Sequence, residues 1–148
     1  MPALESVDAK FERDGVTFHG NLVEFENAVL IFFYEGASKL GTVALAMPGI
    51  MEEKAGRSSV LLGGKYLVVS RSLAEMAAGA FRKLALVSVN TSIEEPEAFR
   101  IYAKLLDYLK KSHSAASMRR GSTARILRVR LRRLFELAPC AVQACRLG

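Results

Sequence analysis

The sequence has 148 residues, 51% of them hydrophobic, 24% charged and 8% aromatic, with a formal net charge of +6. A chain of this length buries roughly 68–70% of its unfolded surface, so it can hold one core without a metal or disulfide staple. Collagen-like, disulfide-rich and disordered classes are excluded. The longest apolar run, Ala28 to Tyr34, is seven residues, short of the ~18 that a membrane span requires.

The basic balance is unevenly placed. Residues 1–111 carry 13 Lys and Arg against 14 Asp and Glu, a net of −1, whereas residues 112–148 carry eight Arg against Glu136, a net of +7. All eight lysines lie at or before Lys111, and eight of the thirteen arginines follow it. Such a switch in usage marks a boundary, so a domain over 1–111 is expected, then a linker and arginine-rich tail over 112–148. Met1 to Glu5 lacks the basic start and apolar stretch of a secretory signal, and a cytoplasmic location is expected. Cys140 and Cys145 have no nearby histidine to complete a zinc site, and neither metal nor cofactor is expected.

Val7, Ala9 and Phe11 alternate with polar residues as in a half-buried strand, and Asp14-Gly15 is a hairpin turn. A second strand follows from Val16, with a phase shift near Leu22-Val23 that suggests a bulge. Val29 to Tyr34 is apolar at every position, which predicts a central strand covered on both faces. Thr42–Met47 and Ser58–Leu62 read as further strands, the latter ended by Gly63-Gly64. Ser72 and Glu75 have capping-box spacing and predict a helix from Ser72 to Lys83. Leu84–Val89 is a sixth strand. Ser92, Glu95 and Pro96 open a helix whose apolar stripe runs to Lys111. From Ser122 an imperfectly amphipathic basic helix is expected, ending before Pro139. Short turns between consecutive strands predict an α+β fold, an antiparallel sheet of about six strands with helices packed against it.

The chemistry-bearing residues do not assemble into a catalytic pattern. Gly64-Lys65 fits a phosphate loop only if position 59 is Gly and position 66 is Ser or Thr, but these are Ser59 and Tyr66. His19 lies on the polar face of a strand and His113 in a serine-rich stretch, neither with a sequence partner. Ser58, Ser59, Ser70 and Ser72 stand at strand and helix starts, where hydroxyls serve structure. Glu52-Glu53 and Glu94-Glu95 are adjacent, unlike the opposed carboxylates of glycosidases. A non-enzyme is expected.

Several segments recur together in order: Leu45-Ala46-Met47, then Ser59-Val60-Leu61-Leu62-Gly63, Leu73-Ala74, and Val87-Ser88-Val89-Asn90. The block from Val29 to Asn90 that contains them resembles the proteasome assembly chaperones of the chaperone three and chaperone four type. The resemblance covers about sixty residues and does not include the arginine-rich tail. It implies a non-catalytic chaperone that binds proteasome α subunits and assists assembly of the 20S α ring. It also implies a dimer, either a homodimer or a heterodimer with a related chaperone.

The candidate partner-binding residues are Lys39 in one turn and Leu62, Gly63, Gly64, Lys65 and Tyr66 in a second loop, with Tyr66 and Leu67 as anchors if exposed. Ala74, Ala77, Ala78, Gly79 and Ala80 allow close approach by another helix, by a second subunit or by the sheet. Two rival functions remain at this point. One is a basic module that attracts nucleic-acid phosphate through the tail; the other is a roadblock-like scaffold.

Overall fold

The computed structural model describes residues 4–49 and 57–136, with side chains as far as Met118. Six strands and two helices follow in the order β1 (Glu5–Arg13), β2 (Val16–Glu24), β3 (Ala28–Glu35), β4 (Thr42–Met47), β5 (Arg57–Leu62), α1 (Leu67–Phe81), β6 (Leu84–Asn90) and α2 (Glu95–Glu136). The α+β class and the strand count follow the sequence. By contact density the chain forms two units, Met1–Ser112 and His113–Gly148.

Asp14 and Gly15, both at positive φ, close the β1–β2 hairpin, the left-handed pair that a two-residue turn demands. β1, β2 and β3 form an antiparallel meander. The complete order is β1-β2-β3-β6-β4-β5, and here the expectation of an antiparallel sheet needs correction. β6 pairs parallel with β3, while β4 runs antiparallel to both β6 and β5, so the sheet is mixed. The cause is the connection. α1 carries the chain from β5 over the sheet and returns β6 between β3 and β4, and a crossover of this length permits a parallel neighbour that a hairpin cannot.

The expected irregularity near Leu22-Val23 is absent from the ladders, which run unbroken from Glu5↔Glu24 to Arg13↔Val16 and through Val23↔Leu30. The sheet's register shift falls between Val43 and Ala44, opposite Leu61. α1 begins five residues before Ser72. Tyr66 precedes it in a left-handed conformation, and no side chain caps it. Instead the buried Ser70 hydroxyl donates to the Tyr66 carbonyl at 2.7 Å, and Glu75 accepts from Ser58 of β5. α2 continues through Ser112–Ser122, where a linker was expected, to Glu136.

Both helices cover the same face. Leu22, Val29, Ile31, Phe33, Ala44, Ala46, Ala85 and Val87 of the sheet are sealed beneath Leu73, Ala74 and Ala77 of α1 and Ala98, Tyr102 and Leu109 of α2. Small residues set the spacing. At Gly20 a Cβ would stand 3.2 Å from the Phe33 ring and 3.3 Å from Leu109. Ala74, Ala77 and Ala78 are thus consumed by packing inside the subunit, which is one of the two uses open to them. No helix among the described residues is long and apolar enough to cross a membrane.

Candidate interaction site

Alternation along each strand sends every second residue to the opposite face; there Ser88 and Val43 are buried and the other strand residues stay at least partly accessible. On β3 the inward Val29, Ile31 and Phe33 are fully buried, while the outward Leu30, Phe32 and Tyr34 stay half-buried. Register places Leu86 beside Leu30, Leu45 beside Leu86, and Val23 on the other side of Leu30. The outer face is therefore an apolar band over β2, β3, β6 and β4. Towards β1 it becomes polar: His19 stacks on Tyr34 with ring centres 4.9 Å apart, and Asn21 donates to Asp8. The expectation that β3 is covered on both faces is met fully on the inner face and partly on the outer one, where its residues are half-buried.

The candidate residues of the two loops separate in space. Lys39 is exposed beside Ser38 and Leu40 and, with Asn21, Phe32 and Tyr34, borders a hollow of about 390 Å³ on the outer face. Leu62, Gly63, Gly64 and Lys65 are exposed at the corner where β5 passes into α1. Gly63 is required there, since its φ is +104 and a Cβ would meet the Thr42 hydroxyl oxygen at 2.5 Å. The Thr42 hydroxyl donates to the Lys65 carbonyl and pins the loop from below.

Tyr66 is not an exposed anchor. It is half-buried, and its hydroxyl donates to the Ile93 carbonyl at 2.8 Å, joining the α1 start to the segment before α2. The exposed apolar surface of this corner comes from Leu61 (57% exposed), Leu62 (58%), Leu67 (41%) and Val68 (67%). Beside them a groove of about 660 Å³ runs between the starts of the two helices, bordered by Lys65, Leu67, Val68, Ile93, Glu94 and Pro96. Leu61 and Val68 were not candidates from sequence. No local signal marked them: the bulge that adds Leu61 to β5 and disturbs its alternation appears only in the sheet register.

A polar cluster lies behind this corner. Glu35, at the end of β3, accepts from the Thr91 hydroxyl at 2.9 Å, the Ser92 amide at 2.8 Å and the Ser92 hydroxyl at 2.8 Å. The amide bond first, then the two hydroxyls, hold its carboxyl below the usual range against a partial opposing effect of burial. Such a carboxylate is occupied as an acceptor and serves as a clamp between β3 and the β6–α2 segment. Tyr102 is fully buried, between the rings of Phe18 and Phe33. Its hydroxyl has no hydrogen-bond partner among the described residues. Burial pushes its pKa up to about 12, with the Thr91 hydroxyl nearby acting the other way and the Glu35 charge adding to the rise.

The arrangement thus offers surfaces: an apolar face, an apolar corner and an internal clamp. The arginines of the tail lie beyond the described side chains, so the phosphate-binding expectation falls outside them.

No family model matches the chain, and no curated protein matches it. Solved structures do. A chain from the crystal structure of a novel chaperone complex for yeast 20S proteasome assembly is similar, with 16% identity and a TM-score of 0.51. The match covers 78% of this chain and 96% of that one. At this identity the likeness establishes a shared fold.

Proposed function

We propose that this protein is a non-catalytic assembly chaperone that binds proteasome α subunits and assists formation of the 20S α ring. Its two surfaces take separate partners. The outer sheet face associates with a second subunit, either another copy or a related chaperone, and the Leu61–Val68 corner receives the α subunit. Lys39, at the rim of the outer face, belongs to the first contact, and Leu62 to Lys65 belong to the second. A cytoplasmic site of action goes with this role.

One observation carries the proposal: a fold shared with a chain of a proteasome assembly chaperone complex keeps the outer side of its central strand, Leu30, Phe32 and Tyr34, only half-buried. Contiguous apolar surface of this kind on a small domain supports a protein contact. The resemblance between Val29 and Asn90 points to the same family.

Co-purification provides the test. The tagged protein is passed over recombinant proteasome α subunits and its own size is measured in parallel. A dimer that retains at least one α subunit is the expected result. A monomer that retains none overturns the proposal.

A further inference from the structure

The two edges of the sheet are built differently. Five of the nine residues of β1, Glu5, Asp8, Lys10, Glu12 and Arg13, are charged, a pattern that discourages another strand from pairing there. At the opposite edge β5 reads Arg57-Ser58-Ser59-Val60-Leu61-Leu62, with one charge at its start and two exposed leucines at its end. Among the described residues its only strand neighbour is β4. One row of its backbone amides and carbonyls thus has no strand partner among the described residues, and the strand lacks the usual charged protection.

The surroundings of that edge select what can occupy it. Arg71 of α1 donates to the Ser58 hydroxyl at 3.1 Å, which brings its guanidinium to the β5 margin. Arg57 and Lys65 stand exposed at the two ends of the strand. Among the described residues no carboxylate forms an ion pair with any of the three, and the nearby Glu75 is engaged by the Ser58 hydroxyl, leaving three cations against one carboxylate at this margin. The first turn of α1 contains no acid and no side-chain cap, so its positive end adds to the same field. Leu61, Leu62 and Val68 supply the apolar part.

We infer that β5 is a docking edge for an extended segment of a partner protein, one that alternates apolar and acidic side chains and adds to the sheet as a further strand. Backbone hydrogen bonds along β5 hold the segment; its apolar side chains lie on Leu61, Leu62 and Val68, and its carboxylates meet Arg57, Lys65 and Arg71. This rests on the assignment of the Leu61–Val68 corner to a partner, and it defines the chemistry of that partner.

Two blocked peptides of about eight residues serve as probes, one alternating valine and glutamate and the other valine and lysine. Binding is followed by titration, and exchange of the β5 amides by hydrogen–deuterium measurement on the full chain. The glutamate peptide is expected to bind at least about tenfold more tightly than the lysine peptide and to slow exchange at Ser59 to Leu62. Leu61→Lys is expected to abolish this with thermal stability retained, and Leu61→Val to restore it. Equal binding of both peptides, binding of neither, or binding without protection of β5 overturns the inference. So does concentration-dependent protection of β5 without peptide, which would place a second copy on this edge. Protection by the peptide with no capture of α subunits would leave the docking edge standing and remove the proteasome partner. Capture of α subunits with β5 exchanging freely would do the reverse.

Discussion

The two faces of the sheet are made from the same strands and have opposite fates. Phe33 points inward, is fully buried and touches Tyr102 at a ring distance of 5.0 Å. Phe32, its neighbour in the chain, points to the opposite face and stays half-buried. The helices lie over a floor that combines Ala44, Ala46 and Ala85 with Leu22, Val29, Ile31 and Phe33. Leu30, Phe32, Tyr34, Leu45 and Leu86 line the outer side and are half-buried. Inside the subunit small and large side chains interlock, while the outward residues of the same central strands stay partly accessible.

Substitution of this adjacent pair would break the comparison most directly. Phe33→Ala is expected to destabilise the fold by about 3–5 kcal/mol through loss of burial and an unfilled cavity. Phe32→Ala is expected to cost about 1 kcal/mol or less in an isolated subunit, yet to weaken dimerisation. Chemical denaturation beside a sedimentation measurement checks both. Equal destabilisation by the two changes would mean that the faces do not differ as described.

A smaller effect is expected at the Glu35 clamp, which joins strands without belonging to either face. Removing a charged acceptor from hydrogen bonds of this kind costs about 1–2 kcal/mol, allowing for partial solvent screening, and Glu35→Ala is expected to fall in that range. Because the folded pKa is lowered from 4.5, the contribution is fully present above that value and is lost as pH falls through the folded pKa. Stability measured from pH 7 downward should decline less steeply in Glu35→Gln than in the wild type.

The smallest change tests the contact of α2 with the sheet. Tyr102→Phe removes a buried hydroxyl that has no hydrogen-bond partner among the described residues, so stability should hold or rise by up to about 1 kcal/mol. A loss above about 1 kcal/mol would show that the hydroxyl is satisfied in solution.

The sequence disclosed those features that depend on neighbours along the chain. Asp14-Gly15 announced its hairpin, the unbroken apolar run announced β3, and Gly63-Gly64 marked the end of β5. What escaped depends on distant contacts. The parallel pairing of β3 with β6 comes from where α1 delivers the chain, which alternation does not encode. The start of α1 was misplaced because Tyr66 lacks a capping side chain and the Ser72–Glu75 pair imitates one. Glu35 meets Thr91 and Ser92 across more than fifty intervening residues, with no local signal. The candidate residues Leu62 to Lys65 were legible through their glycines and their position between elements. Leu61 and Val68 were hidden, since exposure of an apolar residue is a property of the assembled edge.

Native mass spectrometry of the purified protein, alone and mixed with recombinant proteasome α subunits, bears most directly on function by surface contact. A dimer alone and a further species containing one or more α subunits are expected. A spectrum with only the separate components, at concentrations where assembly partners associate, would contradict the assignment of this chain to proteasome assembly.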